Sequence, residues 1–345
     1  MHRDAGASLS KDKKRKRAAI GIDIGGTKSL YALFDEDFEV IAEEKLPTHP
    51  DEGGIRVFDR GMAKAVRSLM RAADRRGLRV RHVGAGVAGE IDMRRGVVRQ
   101  SPNLTFLDGY AFRERLEKLT GAKVLVVNDV LAGLYGEHRL GAARGTRHAI
   151  GVFIGTGVGG ALIIDGRLHL GASGIAGDIG NYLLHTVDTT QDASRKEVLD
   201  NVASRTAIAG DAAALVAKRK APRLRANVGS DVKNIKSGDI AEAIRAGDEA
   251  VEKLVRSRIA IVGVAVSNLV DFINPDVVVL GGGLVEAMPG LIRREVEKAL
   301  KVHASKRAGK AVKVVVAKLL KHAGTTGAAK LAVDFFSGER ALDLP

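Results

Sequence analysis

The apolar positions along this chain change their period several times, and each change predicts an element. Ala18 to Ile24 (AAIGIDI) is a near-continuous apolar run and reads as a buried strand; GGTK makes a turn, and SLYALFD and EVIAEEKL add two strands, completing a three-stranded meander. Val57, Met62, Val66, Leu69 and Met70 then recur at helical spacing and stop near Gly77. The strand HVGAGVAG, a hairpin through Gly96, a helix from about Phe112 to Leu119 and the strand KVLVV follow. That last strand delivers Asn128 and Asp129 at its C-terminal end, and the next helix runs to about Leu140.

The second half repeats the opening. HAIGVFIG is a strand, GTGVGG a turn and ALIID a strand, the order with which the chain begins, and this predicts a duplicated lobe. Between Gln191 and Asp239 the pattern is too weak to assign. A long helix from Glu249 to Ile273 precedes NPD, the strand VVVL, the turn GGG and a helix from Leu291 to Leu300; the strand VKVVVA and the helix GTTGAAKLAVDFF close the pattern. At 345 residues the chain is long for one core and suited to two domains of roughly 100–200 residues.

Composition narrows the function. Hydrophobic residues make up 45% and charged residues 28%, and no apolar run approaches the roughly 18 residues of a membrane-spanning helix. Met1 to Arg17 lacks the apolar segment and cleavage site of a secretory signal, so the expected location is cytoplasmic, without membrane attachment. The complete absence of cysteine excludes disulfides, thiolate nucleophiles and cysteine-based zinc sites. The net charge of +14 raises a nucleic-acid reading, but the first 17 residues hold seven of the cations against two carboxylates, as expected of a disordered basic tail. Aromatics are only 4% and do not interleave with the cations, so a base-stacking platform and a specific nucleic-acid partner are not expected. His82, His138, His169 and His185 show no ligand spacing.

Three glycine clusters are candidate phosphate cradles: Gly84, Gly86 and Gly89; Gly155, Gly157 and Gly160; and Gly281, Gly282 and Gly283. A dinucleotide fingerprint leaves a strand and enters a helix, whereas EIDMRRGVV and ALIIDG after the first two clusters look like strands, so their amides are expected to line hairpins. Hairpin amides can still converge on an anion. No cluster ends in the Lys-Ser/Thr of a P-loop.

Taken together, Asp23-Ile24-Gly25-Gly26-Thr27-Lys28, Gly155-Thr156-Gly157-Val158-Gly159-Gly160, Ser101-Pro102-Asn103-Leu104, Asn128-Asp129, Gly171 to Gly180 and Asn274 to Gly283 resemble, in order, the motifs of ROK sugar kinases within the actin, hexokinase and Hsp70 superfold. The resemblance implies an α/β fold of two actin-like, ribonuclease H-like lobes around a central cleft. The expected division is a tail at 1–17, an N-terminal lobe at 18–128 that the helix at 325–345 could complete, and a C-terminal lobe at 129–324. It implies ATP-dependent phosphorylation of a sugar hydroxyl on a hexose or N-acetylhexosamine, as in glucokinases, with ATP and Mg²⁺ as cofactors, a small sugar as partner and a homodimer as assembly.

By the same resemblance Asp23, Gly25, Gly26, Thr27 and Lys28 form the first phosphate loop, and Gly155, Thr156, Gly157 and Gly159 the second. Gly281, Gly282 and Gly283 belong to the adenosine segment. Asp23 would orient hydrated Mg²⁺, or else bond local turn amides. Asp129 would be the base that takes the sugar proton, though a residue that opens a helix after a strand also reads as an N-cap. Asn103 and Asn128 would bond sugar hydroxyls.

The pattern departs from the family at its sugar pocket. Where the family has Glu-x-Gly-His and a cysteine-rich zinc loop, this chain has Asp178-Ile179-Gly180-Asn181 and no zinc loop, with Asp200 at the second sugar-binding glutamate. Each Glu-to-Asp change withdraws a carboxylate by about 1.5 Å, half a hydrogen bond's length. A remodelled pocket without zinc is therefore expected, and a catalytically inactive sugar-binding or regulatory protein is the alternative. Inorganic polyphosphate is an alternative donor. A repressor would need a winged-helix domain before the first strand, where 17 residues stand.

Overall fold

The computed structural model describes residues 15–48, 53–184, 197–229 and 235–344. Residues 1–14 of the expected tail, and His49 and His185, lie outside them. Lys16 and Arg17 do not belong to a tail: they open β1 (Lys16–Ile24), in register with Leu78 and Arg79. The chain forms two compact units.

The first unit comprises the chain up to Gly141, Arg167–Ile175 and the segment from Lys321 onward. Its sheet has the order β3-β2-β1-β4-β7. The meander β1, β2 (Lys28–Phe34) and β3 (Val40–Pro47) is antiparallel, while β4 (Leu78–Val87) and β7 (Lys123–Asn128) run parallel to β1. Strand alternation sorts β1 into two faces. Ile20, Ile22 and Ile24 enter a core with Phe58, Met62, Val66 and Leu69 of α1 (Gly54–Arg75), each such buried side chain contributing about 1.5–3 kcal/mol. Phe58, rather than the expected Val57, anchors this helix; Val57 is 39% exposed. A short hairpin, β5 (Glu90–Asp92) with β6 (Val97–Gln100), then leads to α2 (Phe112–Thr120).

The other face of β1 meets a helix from the far end of the sequence, Ala323–Phe336. This C-terminal helix approaches β4 and α3 (Asp129–Leu140) so closely that glycine is required: a Cβ on Gly84 of β4 would lie 1.8 Å from the Ala328 carbonyl oxygen, and one on Gly327 1.8 Å from that of Ala132. Buried Asp334 fastens the pair, accepting the Tyr135 hydroxyl at 2.6 Å. The division expected at Asp129 is thereby corrected. Leu131, Ala132, Leu134 and Tyr135 bury themselves within the first unit, and the boundary falls after Gly141. Gly84 and Gly86 likewise lie inside β4, not in a hairpin, and only Gly89 turns the chain, with φ 124°.

The second unit repeats this plan in a sheet ordered β9-β8-β11-β12. β8 (Ala149–Ile154) and β9 (Val158–Ile164) form the hairpin; β10 (Arg167–Leu168) begins the segment given to the first unit, where Leu168 bridges Leu342. The weakly patterned stretch folds into α4 (Leu199–Ala203), α5 (Arg205–Ala217), α6 (Pro222–Val228) and α7 (Ser237–Arg245). α8 (Glu249–Ile273) covers the sheet, then β11 (Val277–Gly281), α9 (Gly283–Ala287), α10 (Pro289–His303), α11 (Lys306–Ala311) and β12 (Lys313–Val316) follow. β11 and β12 run parallel to β8. Among the described residues no helix is long and apolar enough to cross a membrane.

Candidate functional site

In the first unit the predicted residues converge on the turn Ala88–Gly89. The Ala88 amide donates to the Ile24 carbonyl at 3.0 Å, next to the Gly25–Lys28 turn, which closes with the Gly25 amide on the Lys28 carbonyl at 3.2 Å. Ser101 Oγ donates to the Ala88 carbonyl at 2.7 Å and so ties down the turn that carries exposed Asn103. Asn128 Nδ2 donates to the Gly89 carbonyl at 3.1 Å. One two-residue turn thus holds the first glycine loop, the Asn103 turn and the start of α3.

Asn128, not Asp129, caps α3. Its Oδ1 accepts the amides of Val130 at 2.9 Å and Leu131 at 3.3 Å, which corrects the reading of Asp129 as the cap. Asp129 stands at the first helical position and accepts the Val130 amide at 3.0 Å with one oxygen. Burial pushes its carboxyl up to about 6, against the lowering effect of the backbone amides. Gly86 makes room for it: a Cβ there would meet the Asp129 Cα at 3.1 Å. Gly86 is also the β4 partner of Asp23, so Asp23 and Asp129 share one neighbourhood. The Asp23 carboxylate lies against Gly324, in the first turn of the C-terminal helix, where the helix dipole favours negative charge.

In the second unit the turn Gly155-Thr156-Gly157 joins β8 to β9, and Asp178, Asn181 and Asp200 gather beside it. Asp200 Oδ1 accepts the Val158 amide at 2.5 Å and lies where a Cβ on Gly157 would be. Asn181 Nδ2 donates to Asp178 at 2.6 Å. Burial first, then the charge of Asp178, raises the pKa of Asp200, while the Val158 amide lowers it. Gly159 and Gly160 lie within β9, and Gly160 packs against the Gly177 carbonyl. Gly282, with φ 88°, faces the backbone of Ile154 just before the loop, and so couples the Gly281–Gly283 segment to it.

Sequence reasoning assigned nothing to Arg205, yet it attends this loop directly. Its amide donates to the Gly155 carbonyl at 2.9 Å and its guanidinium reaches Thr156 Oγ1 at 3.4 Å. Thr206 Oγ1 donates to the Thr156 carbonyl at 2.8 Å. The signal was spatial: α5 starts at the loop because Ser204 caps it, Oγ accepting the Ala207 amide at 3.2 Å.

These residues suit a phosphate chain and a hydrated cation. Among the described residues no carboxylate pairs with exposed Lys28 on the first loop or with Arg205 on the second, and the backbone at Gly155 has open space beside it. Asp23 supplies a carboxylate beside the first turn. Among the described residues no three His, Asp or Glu side chains cluster to hold a metal.

Two repeated α/β units, each opening with a hairpin closed by glycine, define an actin-like fold. The ROK family's sequence profile matches residues 19–334, and the chain belongs to the ROK family. It is similar to a glucokinase of Thermotoga maritima, 29% identical over 94% of this chain and 99% of the relative. It also resembles an N-acetyl-D-glucosamine kinase of Aliivibrio salmonicida, 30% identical over 91% and 99%. Among solved structures, a ROK glucokinase from Streptomyces griseus in complex with glucose and AMPPNP superposes with a TM-score of 0.80 at 28% identity, covering 92% of this chain and 99% of that one. The chain is a sugar kinase.

Proposed function

We propose that this kinase transfers the terminal phosphoryl group of ATP to a hydroxyl of a hexose or N-acetylhexosamine, with Asp129 as general base. The observation that carries this reading is that Asn128 takes over the helix cap, leaving Asp129 as a desolvated carboxylate with a pKa of about 6. A base with a pKa near working pH combines ionisation with useful proton affinity. The Asp129 carboxylate accepts the sugar hydroxyl proton as that oxygen bonds to phosphorus and the bond from phosphorus to ADP breaks.

The chain's other contributions are positional. Asn103 and the remaining N–H of Asn128 orient hydroxyls, and Asp178, Asn181 and the second oxygen of Asp200 complete the sugar contacts. The turns Gly25–Lys28 and Gly155–Gly157 hold the phosphates through backbone amides, with Lys28 and Arg205 as cations, while Gly281–Gly283 serves the adenosine. Asp23 would orient the waters of a Mg²⁺ ion bound with the donor, and that ion would supply neutralisation of phosphate charge. The relatives' names favour glucose and N-acetylglucosamine as acceptors.

Release of ADP from Mg-ATP across hexoses, N-acetylhexosamines and pentoses, with Asp129→Asn as control, tests the reading. Turnover that depends on a sugar and falls at least 100-fold in the variant is expected. ATP binding without turnover on any sugar would overturn it in favour of a regulatory sugar-binding protein.

A further inference from the structure

The strands that bring Asp23, Gly86 and Asn128 to the site end, at their other termini, in a cluster of cations. Arg15, Arg17, Arg79, Arg81 and Lys123 line a cavity of about 560 Å³, a size typical of small-molecule sites. Arg17 stands six positions before Asp23 on β1, so the cavity lies about 20 Å from the candidate active site. It involves none of the residues assigned above.

In the lining of the cavity five Arg and Lys side chains face a single carboxylate. Arg17 and Arg79 are register partners on β1 and β4, and like charges placed side by side destabilise a sheet; Lys123 on β7 adds a further cation beside His82. Asp74 is the one carboxylate in the lining, and it pairs with Arg15 at 3.3 Å. Among the described residues no carboxylate pairs with Arg17, Arg81 or Lys123. Three helices end at the cavity, α1 by its last turn at Asp74 and the other two at Gly121 and Ser337, each presenting about half a negative charge. Those ends offset about half of the three unpaired cations before Arg79 is counted. The positive field also registers on His82, whose pKa falls through burial and then through Lys123, Arg81 and Arg17.

We propose that this cavity is an anion site for a small molecule bearing two or more phosphate groups. The number of cations exceeds what one phosphate can engage, and guanidinium groups match phosphate oxygens in pairs. The aromatic lining is already occupied: Phe336 stacks on His82 with centroids 5.6 Å apart, and Lys123 sits over the Phe336 ring at 5.5 Å. Recognition therefore falls on phosphates, not on a stacked base. An inorganic phosphate chain and an organic bisphosphate share that chemistry.

Calorimetric titration of the full chain with sodium tripolyphosphate, fructose 1,6-bisphosphate and orthophosphate tests the site, with thermal melting and sugar-dependent ADP release as controls for folding. The expected result is binding of at least one of the first two, orthophosphate at least tenfold weaker, and a loss of tenfold or more in Arg81→Glu/Lys123→Glu but less than twofold in Lys28→Ala. The preferred ligand tells an inorganic chain from an organic bisphosphate. Should the double variant fail to fold, Lys123→Gln, at an exposed side chain, must weaken binding at least threefold. Unchanged binding in the variants, an equal loss in Lys28→Ala, or tighter binding of a single-stranded oligonucleotide lost in the same variants would each overturn the proposal.

Discussion

Asp200 Oδ1 accepts the Val158 amide at 2.5 Å, so a carboxylate expected to face the sugar also fastens the second glycine loop. Removing it should affect both substrates. Asp200→Ala is expected to cost about 1–3 kcal/mol of stability by leaving the Val158 amide without its acceptor. It should also raise KM for ATP as well as for sugar. Asp200→Asn, which keeps an acceptor oxygen, should recover melting temperature and KM for ATP while leaving KM for sugar elevated. Melting curves and initial rates on both variants check this; an unchanged KM for ATP in Asp200→Ala would count against the fastening role.

The raised pKa of Asp129 gives opposite signs for activity and stability. As base, Asp129 must be ionised, so kcat/KM should rise with pH through about 6 and then level off. For stability, a folded-state pKa above the unfolded one favours the protonated form. Its stabilising contribution is complete below about 4 and is lost as pH rises through about 6. Asp129→Asn should therefore equal the parent in stability near pH 4 and exceed it by about 2–3 kcal/mol at pH 8, a shift of about two units being worth that much. Denaturant melts across this range decide it; a variant less stable at pH 8 would contradict the burial argument.

Asn128 combines two duties that substitution can separate. Asn128→Ala loses the cap and the bond to Gly89, at an expected cost of about 1–2 kcal/mol in stability with at least a tenfold loss of kcat. Asn128→Asp keeps a capping oxygen but cannot donate to Gly89. It should regain most of the stability and little of the rate, as urea melts alongside turnover would show.

Gly327→Ala tests the packing beneath the site. With 1.8 Å between the new Cβ and the Ala132 carbonyl oxygen, the C-terminal helix must move, and a loss of about 3 kcal/mol or more is expected, together with lower kcat. Activity falling no faster than the folded fraction would show that the helix serves stability alone.

The repeated strand, turn and strand order was legible because hydrophobic runs and glycines encode it locally. So were α8 and the position of Asp129, which the apolar run of β7 delivers to the strand's end. What could not be read depended on contacts distant in sequence. Gly84 and Gly86 looked like a phosphate cradle, yet they are glycine because helices from residues 129 and 323 onward lie against β4. Arg205 gave no sign in a stretch without clear period, since its meaning comes from a loop 49 positions earlier. The choice between Asn128 and Asp129 as cap rested on which side chain turns back, a detail that adjacent, chemically similar residues do not disclose.

The C-terminal helix lies against β1, which precedes it by some 300 positions in the chain. During synthesis the Gly21 and Gly84 face of the first sheet therefore remains uncovered until residues 323–336 have emerged. Closure of so long a loop belongs among the slow events of folding. Since that helix also lies against Asp23, a chain cut before residue 323 is expected to leave this end of β1 bare and to lose phosphoryl transfer.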